Sequence, residues 1–387
     1  MHGDEKHRSW SYPDWCFRLA IEVDAAGYER YDKPVELFLD MTPFLADLGE
    51  TEGFDPGSLR LVEIDERGVV IDRALAFQFD PDASEDPTNQ ARGTLVFALK
   101  GTTPAKASRR FHIYFDTVSA RHSPTSIPPQ VALTGSVQDE GQDSFKVATQ
   151  NATYYYHKLG AGFSSMVDAD GQDWLGYQPG GGSAGEYRGI PNMGHPEGYC
   201  HPGKEVSHSW IAGQGPLRVT VLSESDDGVM RCRWDIFPRY ARLTVLKMRT
   251  PYWFLYEGTP GGNPGGELDE ENGYCVRSTG ERTPLGQKWE SDIPDPEWLY
   301  FGAGNTRRVI YLVHHEDDDA IDSYWPMEHN MTVFGFGRLG LDKFMKRVPA
   351  RFTVGFAEDG TYEQAAKVID SAFRDLEVRV GPLEART

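Results

Sequence analysis

Apolar residues in the first third of the chain recur at alternate positions, in short runs cut by Gly, Pro and Asp. Residues 15–23 (WCFRLAIEV) alternate roughly, and in Lys33–Leu39 the side chains of Val35, Leu37 and Leu39 face one way. Similar runs stand at 58–65 (SLRLVEID), 68–80, 93–101 and 109–117 (RRFHIYFDT). Between them, 41–49 (MTPFLADLG) predicts a short helical turn ended by Gly49. Strands at this spacing with turn signals between them predict a sandwich. HSPTSIPP, 122–129, reads as a linker. The expected division is therefore an N-terminal β-sandwich over 1–125 and a larger antiparallel β-supersandwich over 130–387.

The second part continues with strands near Val131 and Ser144, then Tyr154–Tyr156 in a strand that leads to a DADG hairpin signal at 168–171. The runs 216–225, 228–238, 241–250 and 252–258 (YWFLYEG) predict an antiparallel meander. In 242–248 (RLTVLKM) both faces are mostly apolar, which predicts a strand covered on both sides. Further strands are expected at 297–303, 307–315, 331–337 and 350–358. The period then changes. Thr361 and Gln364 form a capping-box pattern, and Tyr362, Ala365, Ala366, Ile369, Phe373 and Leu376 recur at helical spacing. One C-terminal helix braced on a sheet is the expectation, and the fold class is all-β.

One stretch carries no period at all. Glu186–His208 (EYRGIPNMGHPEGYCHPGKEVSH) follows a flexible QPGGGSAG approach and holds three of the chain's 11 histidines. An excursion of that kind, held by rigid strands, is where chemistry tends to sit. Composition narrows the chemistry. With 41 Gly and 25 Pro the chain is rich in turns, and 12% aromatic residues mark it as globular. The net charge of −20, from 59 acidic against 39 basic residues, argues against a nucleic-acid partner, which needs a cationic face. Cys16, Cys200, Cys232 and Cys275 form no CxxC pair, so free thiols are expected rather than a zinc site. No apolar run has the length of a membrane span, and MHGDEKHRSW lacks the apolar core of a signal peptide. The location is periplasmic or extracellular if a signal was removed, and otherwise cytoplasmic.

YWFLYEGTPGG at Tyr252, HHEDDDAIDSYWPM at His314 and MTVFGFGRLG at Met331 resemble a family of mostly uncharacterised bacterial all-β proteins associated with polysaccharide breakdown. The later part also resembles the supersandwich of galactose-mutarotase-like proteins and several polysaccharide lyases. The resemblance implies a poly- or oligosaccharide substrate and carries no catalytic residue with it.

Three constellations fit such a substrate. A lyase acting on a uronic-acid polymer needs a group to neutralise the carboxylate, a base for the C5 proton and an acid for the leaving oxygen. Arg188 or Asn192 suits the first role, His195 or His201 the second, and Tyr187 or one of Tyr154–Tyr156 the third. The second constellation is HHEDDD, 314–319, where His315 and Asp317 are candidate ligands for Ca²⁺, Mn²⁺ or Zn²⁺, against the plainer reading of a solvated acidic turn. The third is Glu257, a candidate glycosidase acid, with Glu186 or Asp235 as its second carboxylate. Trp234, Trp253, Tyr324 and Trp325 are candidate sugar platforms, with core packing the plainer reading for each. No G-x-S-x-G, P-loop, Rossmann or HExxH motif occurs. The reading favours a polysaccharide lyase, with a glycoside hydrolase using Glu257 or a non-catalytic glycan binder as alternatives.

Overall fold

The computed structural model describes residues 10–82, 91–175, 189–195, 197–262, 268–327 and 331–386. The chain is all-β, built from antiparallel sheets with two α-helices among the described residues, Met41–Asp47 and Tyr362–Phe373. It divides into two units. The first comprises 1–129, 215–217 and 374–387, and the second 130–214 and 218–373.

In the first unit, the predicted alternation places Leu19, Ile21 and Val23 of strand Phe17–Asp24 in the core. That strand lies second in a five-stranded sheet, followed by Ser108–Phe115, Arg60–Ile64 and Val70–Asp72. A three-stranded sheet of Arg30–Asp40, Arg92–Thr103 and Phe77–Pro81 supplies the other layer. The layers meet through Phe97 and Phe111, whose rings lie edge to face with centroids 4.9 Å apart. The short helix Met41–Asp47 forms where the sequence predicts it. Asp40 caps it by accepting from the Thr42 N–H, and Gly49 follows at φ +76°.

The expected second domain ran to residue 387, and here the structure corrects the sequence reading. After the C-terminal helix, strand Glu377–Ala385 pairs with Phe17–Asp24 as the outermost member of the five-stranded sheet. Without it, that strand would present a row of unpaired backbone groups. Arg30, fully buried, fixes the approach by donating to the carbonyls of Arg374 (2.7 Å) and Asp375 (2.8 Å).

The second unit is a large sandwich. A nine-stranded sheet forms one layer. Its first four strands form a meander: Ser207–Gln214, which the sequence reading did not predict, then the expected Val219–Ser225, Met230–Ile236 and Tyr240–Met248. It continues through Ala350–Ala357, Val309–His314, Trp298–Gly302, Tyr274–Arg277 and Arg282–Pro284. Two four-stranded sheets share a single apolar core with it. One holds Val131–Asp139, Gln142–Thr149, Ala152–His157 and Gly162–Asp168. The other holds Phe254–Gly258, Met331–Phe336, Asp322–Met327 and Trp289–Ser291. Phe163 meets Trp234 across the layers at 4.5 Å, and Phe254 stacks on Phe352 at 4.4 Å. The run 252–258 does not extend the meander. The break at Thr250–Pro251 follows strand Tyr240–Met248, and Phe254–Gly258 pairs with Met331–Phe336 in the opposite layer. The helix Tyr362–Phe373 packs on the outer side of the nine-stranded sheet, with Ala365, Ile369, Ala372 and Phe373 buried.

Candidate functional site

The site forms on the outer face of the four-stranded sheet that holds Glu257. Along strand Phe254–Gly258, Phe254 and Tyr256 turn inward to Phe352 and Phe301, so Leu255 and Glu257 turn outward. The segment just past residue 188 then adds itself to this edge. Asn192 and Leu255 exchange both backbone bonds (3.3 and 3.2 Å), and Glu257 N–H donates to the Gly189 carbonyl at 3.1 Å. This pairing carries Asn192 to the Glu257 carboxylate, where its Nδ2 donates at 3.3 Å. Asn192 is fully buried, and its Oδ1 has no partner. An orphaned buried amide oxygen costs on the order of 1–3 kcal/mol and is a ready acceptor for a ligand hydroxyl.

His195 lies within electrostatic reach of Glu257, and its ring is edge to face with that of His201, with centroids 6.1 Å apart. His201 is buried and its Nδ1 lies 2.8 Å from the Pro202 carbonyl. A carbonyl only accepts, so Nδ1 carries the proton and Nε2 is the basic nitrogen. His195 is half-buried. Burial holds it below the ordinary imidazole range, with His201, Lys343 and Lys204 pushing the same way and Glu257 opposing. Its Nδ1 is buried without a partner. At neutral pH the ring is therefore uncharged and able to accept a proton.

Arg338 completes the cluster and was missed by the sequence reading. Gly337, at φ +64°, turns the chain after Met331–Phe336, and a Cβ there would stand 2.2 Å from Met345 Cγ. The turn folds the Arg338 side chain back over Gly335, where a Cβ would meet Arg338 Cδ at 2.9 Å and Leu255 Cδ2 at 2.3 Å. The guanidinium lies 5.5 Å from the Trp253 ring and donates to the Gly340 carbonyl at 3.1 Å. Arg338 is only 7% exposed, and it makes no ion pair among the described residues. Burial lowers its pKa, against the attraction of Glu257 and Glu290. A buried cation without a counter-ion is costly, and an arriving anion would relieve it. The signal was present in MTVFGFGRLG, where two glycines precede an arginine, but apolar alternation gives such a residue no face.

The other sequence candidates scatter. Tyr187, Arg188 and Glu186 lie outside the described residues. Trp234, Trp253 and Tyr324 are buried in cores, and Tyr324 donates to the Leu285 carbonyl at 2.7 Å, so none presents a face to a sugar. In Met230–Ile236 the alternation puts Trp234 on the apolar face with Met230, Cys232 and Ile236, which is the core face. Trp325 differs: it is 44% exposed. Glu257 pairs with Val333 and Val333 with Trp325, so Trp325 shares the outward face of Glu257, about 10 Å away at two strand spacings. Tyr154 and Tyr156 are buried, and Tyr156 bonds Ser223 at 2.7 Å. Asp235 is held on the nine-stranded sheet by Arg233, Arg218 and Arg242, so it is not the second carboxylate of a Glu257 site.

The metal expectation fails on geometry among the described residues. No group of three or more His, Cys, Asp or Glu side chains there is placed to hold an ion. His315 Nε2 lies 2.8 Å from the Thr353 hydroxyl with its ring against Phe373, while Asp317 is exposed. His314 faces inward, stacked on Phe352 and 2.7 Å from Glu297. Burial and the charges of Asp318, Asp317 and Asp292 push Glu297 up to about 10, so it holds a proton against His314 Nδ1.

No family model matches the chain, and no curated protein matches it. Among solved structures it is similar to a chain titled "Crystal Structure Analysis of HI1317", with a TM-score of 0.38 and 14% identity over 60% of this chain and 98% of that one. A second is the "Active YidC insertase crystal structure with the first transmembrane domain resolved", with a TM-score of 0.33 and 11% identity. That alignment covers 63% of this chain, which spans 44% of the insertase chain.

Proposed function

We propose that the protein is a carbohydrate-active enzyme, a polysaccharide lyase that cleaves an acidic glycan by β-elimination. The observation that carries this reading is Arg338, a buried arginine without an ion pair on the face that also holds Glu257, Asn192 and a neutral His195. A uronate carboxylate supplies the missing counter-ion, and pairing with it makes the C5 proton more acidic. His195 takes that proton. The electron pair forms the C4–C5 double bond, the C4–O bond breaks, and the leaving oxygen takes up a proton, with Tyr187 the candidate donor from the sequence. Asn192, anchored on Glu257, accepts from a sugar hydroxyl and positions the ring. Glycosidic cleavage by Glu257 is the second reading, and it needs a carboxylate other than Asp235.

Uronic-acid polymers are screened for a rise in near-ultraviolet absorbance. His195→Ala is expected to lose about 10²–10⁴ in rate, the share typical of a general base. Arg338→Lys is expected to weaken binding and turnover together, since a single ammonium does not match a carboxylate as the guanidinium fork does. New reducing ends without absorbance would move the assignment to hydrolysis. Wild-type rates in both folded variants would remove this site from the chemistry.

A further inference from the structure

A second groove lies in the second unit, at the far edge of its nine-stranded sheet. Its volume is about 500 Å³, within the range of small-ligand sites. Tyr274, Tyr300 and Arg282 share one sheet face: Val276 pairs with both Tyr300 and Arg282, and Tyr274 lies two residues from Val276. Tyr362, at the start of the C-terminal helix, forms a wall, and its hydroxyl donates to the Ser278 carbonyl at 2.6 Å. Arg307 and Asp359 close the opposite end as an ion pair. The Arg282 guanidinium lies over Tyr274, 3.9 Å from the ring centroid, and makes no ion pair among the described residues. Arg282 is exposed, and it sits in an open groove also lined by Tyr274, Tyr300 and Tyr362, in a chain of net charge −20.

We propose that this groove is a second, non-catalytic saccharide site that takes an acidic sugar. Tyr300 is buried beneath the groove, so the partly exposed Tyr274 and the exposed Tyr362 receive the C–H face of a pyranose, and Arg282 receives the carboxylate of the same or the neighbouring unit. The surrounding negative charge repels polyanions in general, so binding depends on this one cation and on ring stacking. No group in the groove is arranged as an acid–base pair around a bond to be broken: Asp359 is neutralised by Arg307, and burial holds Tyr274 and Tyr300 above their ordinary range. The groove would hold a polymer that is cut elsewhere. The choice of an acidic sugar rests on the lyase reading; the existence of a ligand site does not.

The test is calorimetric titration of the full-length protein with tetragalacturonate, and with cellotetraose as the uncharged control. Arg282→Gln is expected to remove one binding component, with an affinity loss of at least about tenfold, as for a lost charge-assisted bond. Tyr274→Ala is expected to remove the same component, and Arg338→Gln to leave it in place. If Arg282→Gln leaves every component unchanged, the proposal is overturned. Equal binding of cellotetraose overturns the assignment to an acidic ligand, and absence of any binding to wild type overturns the site. A single component that Arg282→Gln abolishes and Arg338→Gln spares supports this groove while counting against the lyase site.

Discussion

His157 accepts the Gly203 N–H at its Nδ1, 3.0 Å away, and is almost fully buried. Burial, aided by His201 and opposed by Asp143, brings it down from 6.5 to about 4. The unfolded chain takes up a proton below about 6.5 that the folded protein refuses until about 4, so this contribution is intact above 6.5 and is lost as pH falls through that window. The shift corresponds to about 3 kcal/mol. Urea titrations between pH 7 and 4 are expected to show this loss, and His157→Gln, if it folds, should show a flatter profile. His195 is depressed for the same first reason, and there the consequence is kinetic. Its neutral form is the base, so the acid limb of kcat/KM is expected below the free-imidazole value of 6.5. A limb at or above 6.5 would exclude His195 as the base. Of the site, Asn192, His195, His201 and Glu257 were legible in the sequence, because polar residues in a broken loop or on an apolar strand stand out. Arg338 was not, because its exposure to a ligand depends on two glycines folding it back across a neighbouring strand.

The turn at 337–340 separates two costs that a glycine can carry. Gly337 and Gly340 have nearly the same backbone, φ +64° and +61°, yet a Cβ at 337 meets Met345 while one at 340 meets nothing within 4 Å. Gly340→Ala is expected to cost about 1 kcal/mol, the conformational term alone. Gly337→Ala adds overpacking, for a total of about 2–5 kcal/mol, and should also displace Arg338. Thermal denaturation of the pair checks this, and equal losses would show that Met345 yields freely. The alternation of side chains made the strands legible, and the helical spacing after Thr361 made the last helix so. Pairing was not legible. Phe254–Gly258 follows the meander in sequence but lies in the opposite layer, and nothing local encodes a partner as distant as Met331–Phe336.

For the molecule as a whole, the pairing of Phe17–Asp24 with Glu377–Ala385 means that the first unit is completed by the last strand. A chain ending at Phe373 is expected to lose hydrogen-exchange protection in 17–24 and to melt earlier in its first unit, while the nine-stranded sheet of the second unit stays protected. Unchanged protection in 17–24 would show that the strand is dispensable. The division near 129 was visible as a proline-rich linker; the return of 374–387 was not, since a solitary amphipathic strand carries no sign of which sheet it joins. Production on the ribosome adds a delay. Arg18 and its partner Glu384 are 366 residues apart, which at about 5–20 residues per second is roughly 20–70 s of synthesis. Throughout that interval the nascent sandwich exposes a bare strand edge of the kind that recruits neighbouring chains, and a holding chaperone or slow translation through the second unit would decide how much of the protein reaches its native state.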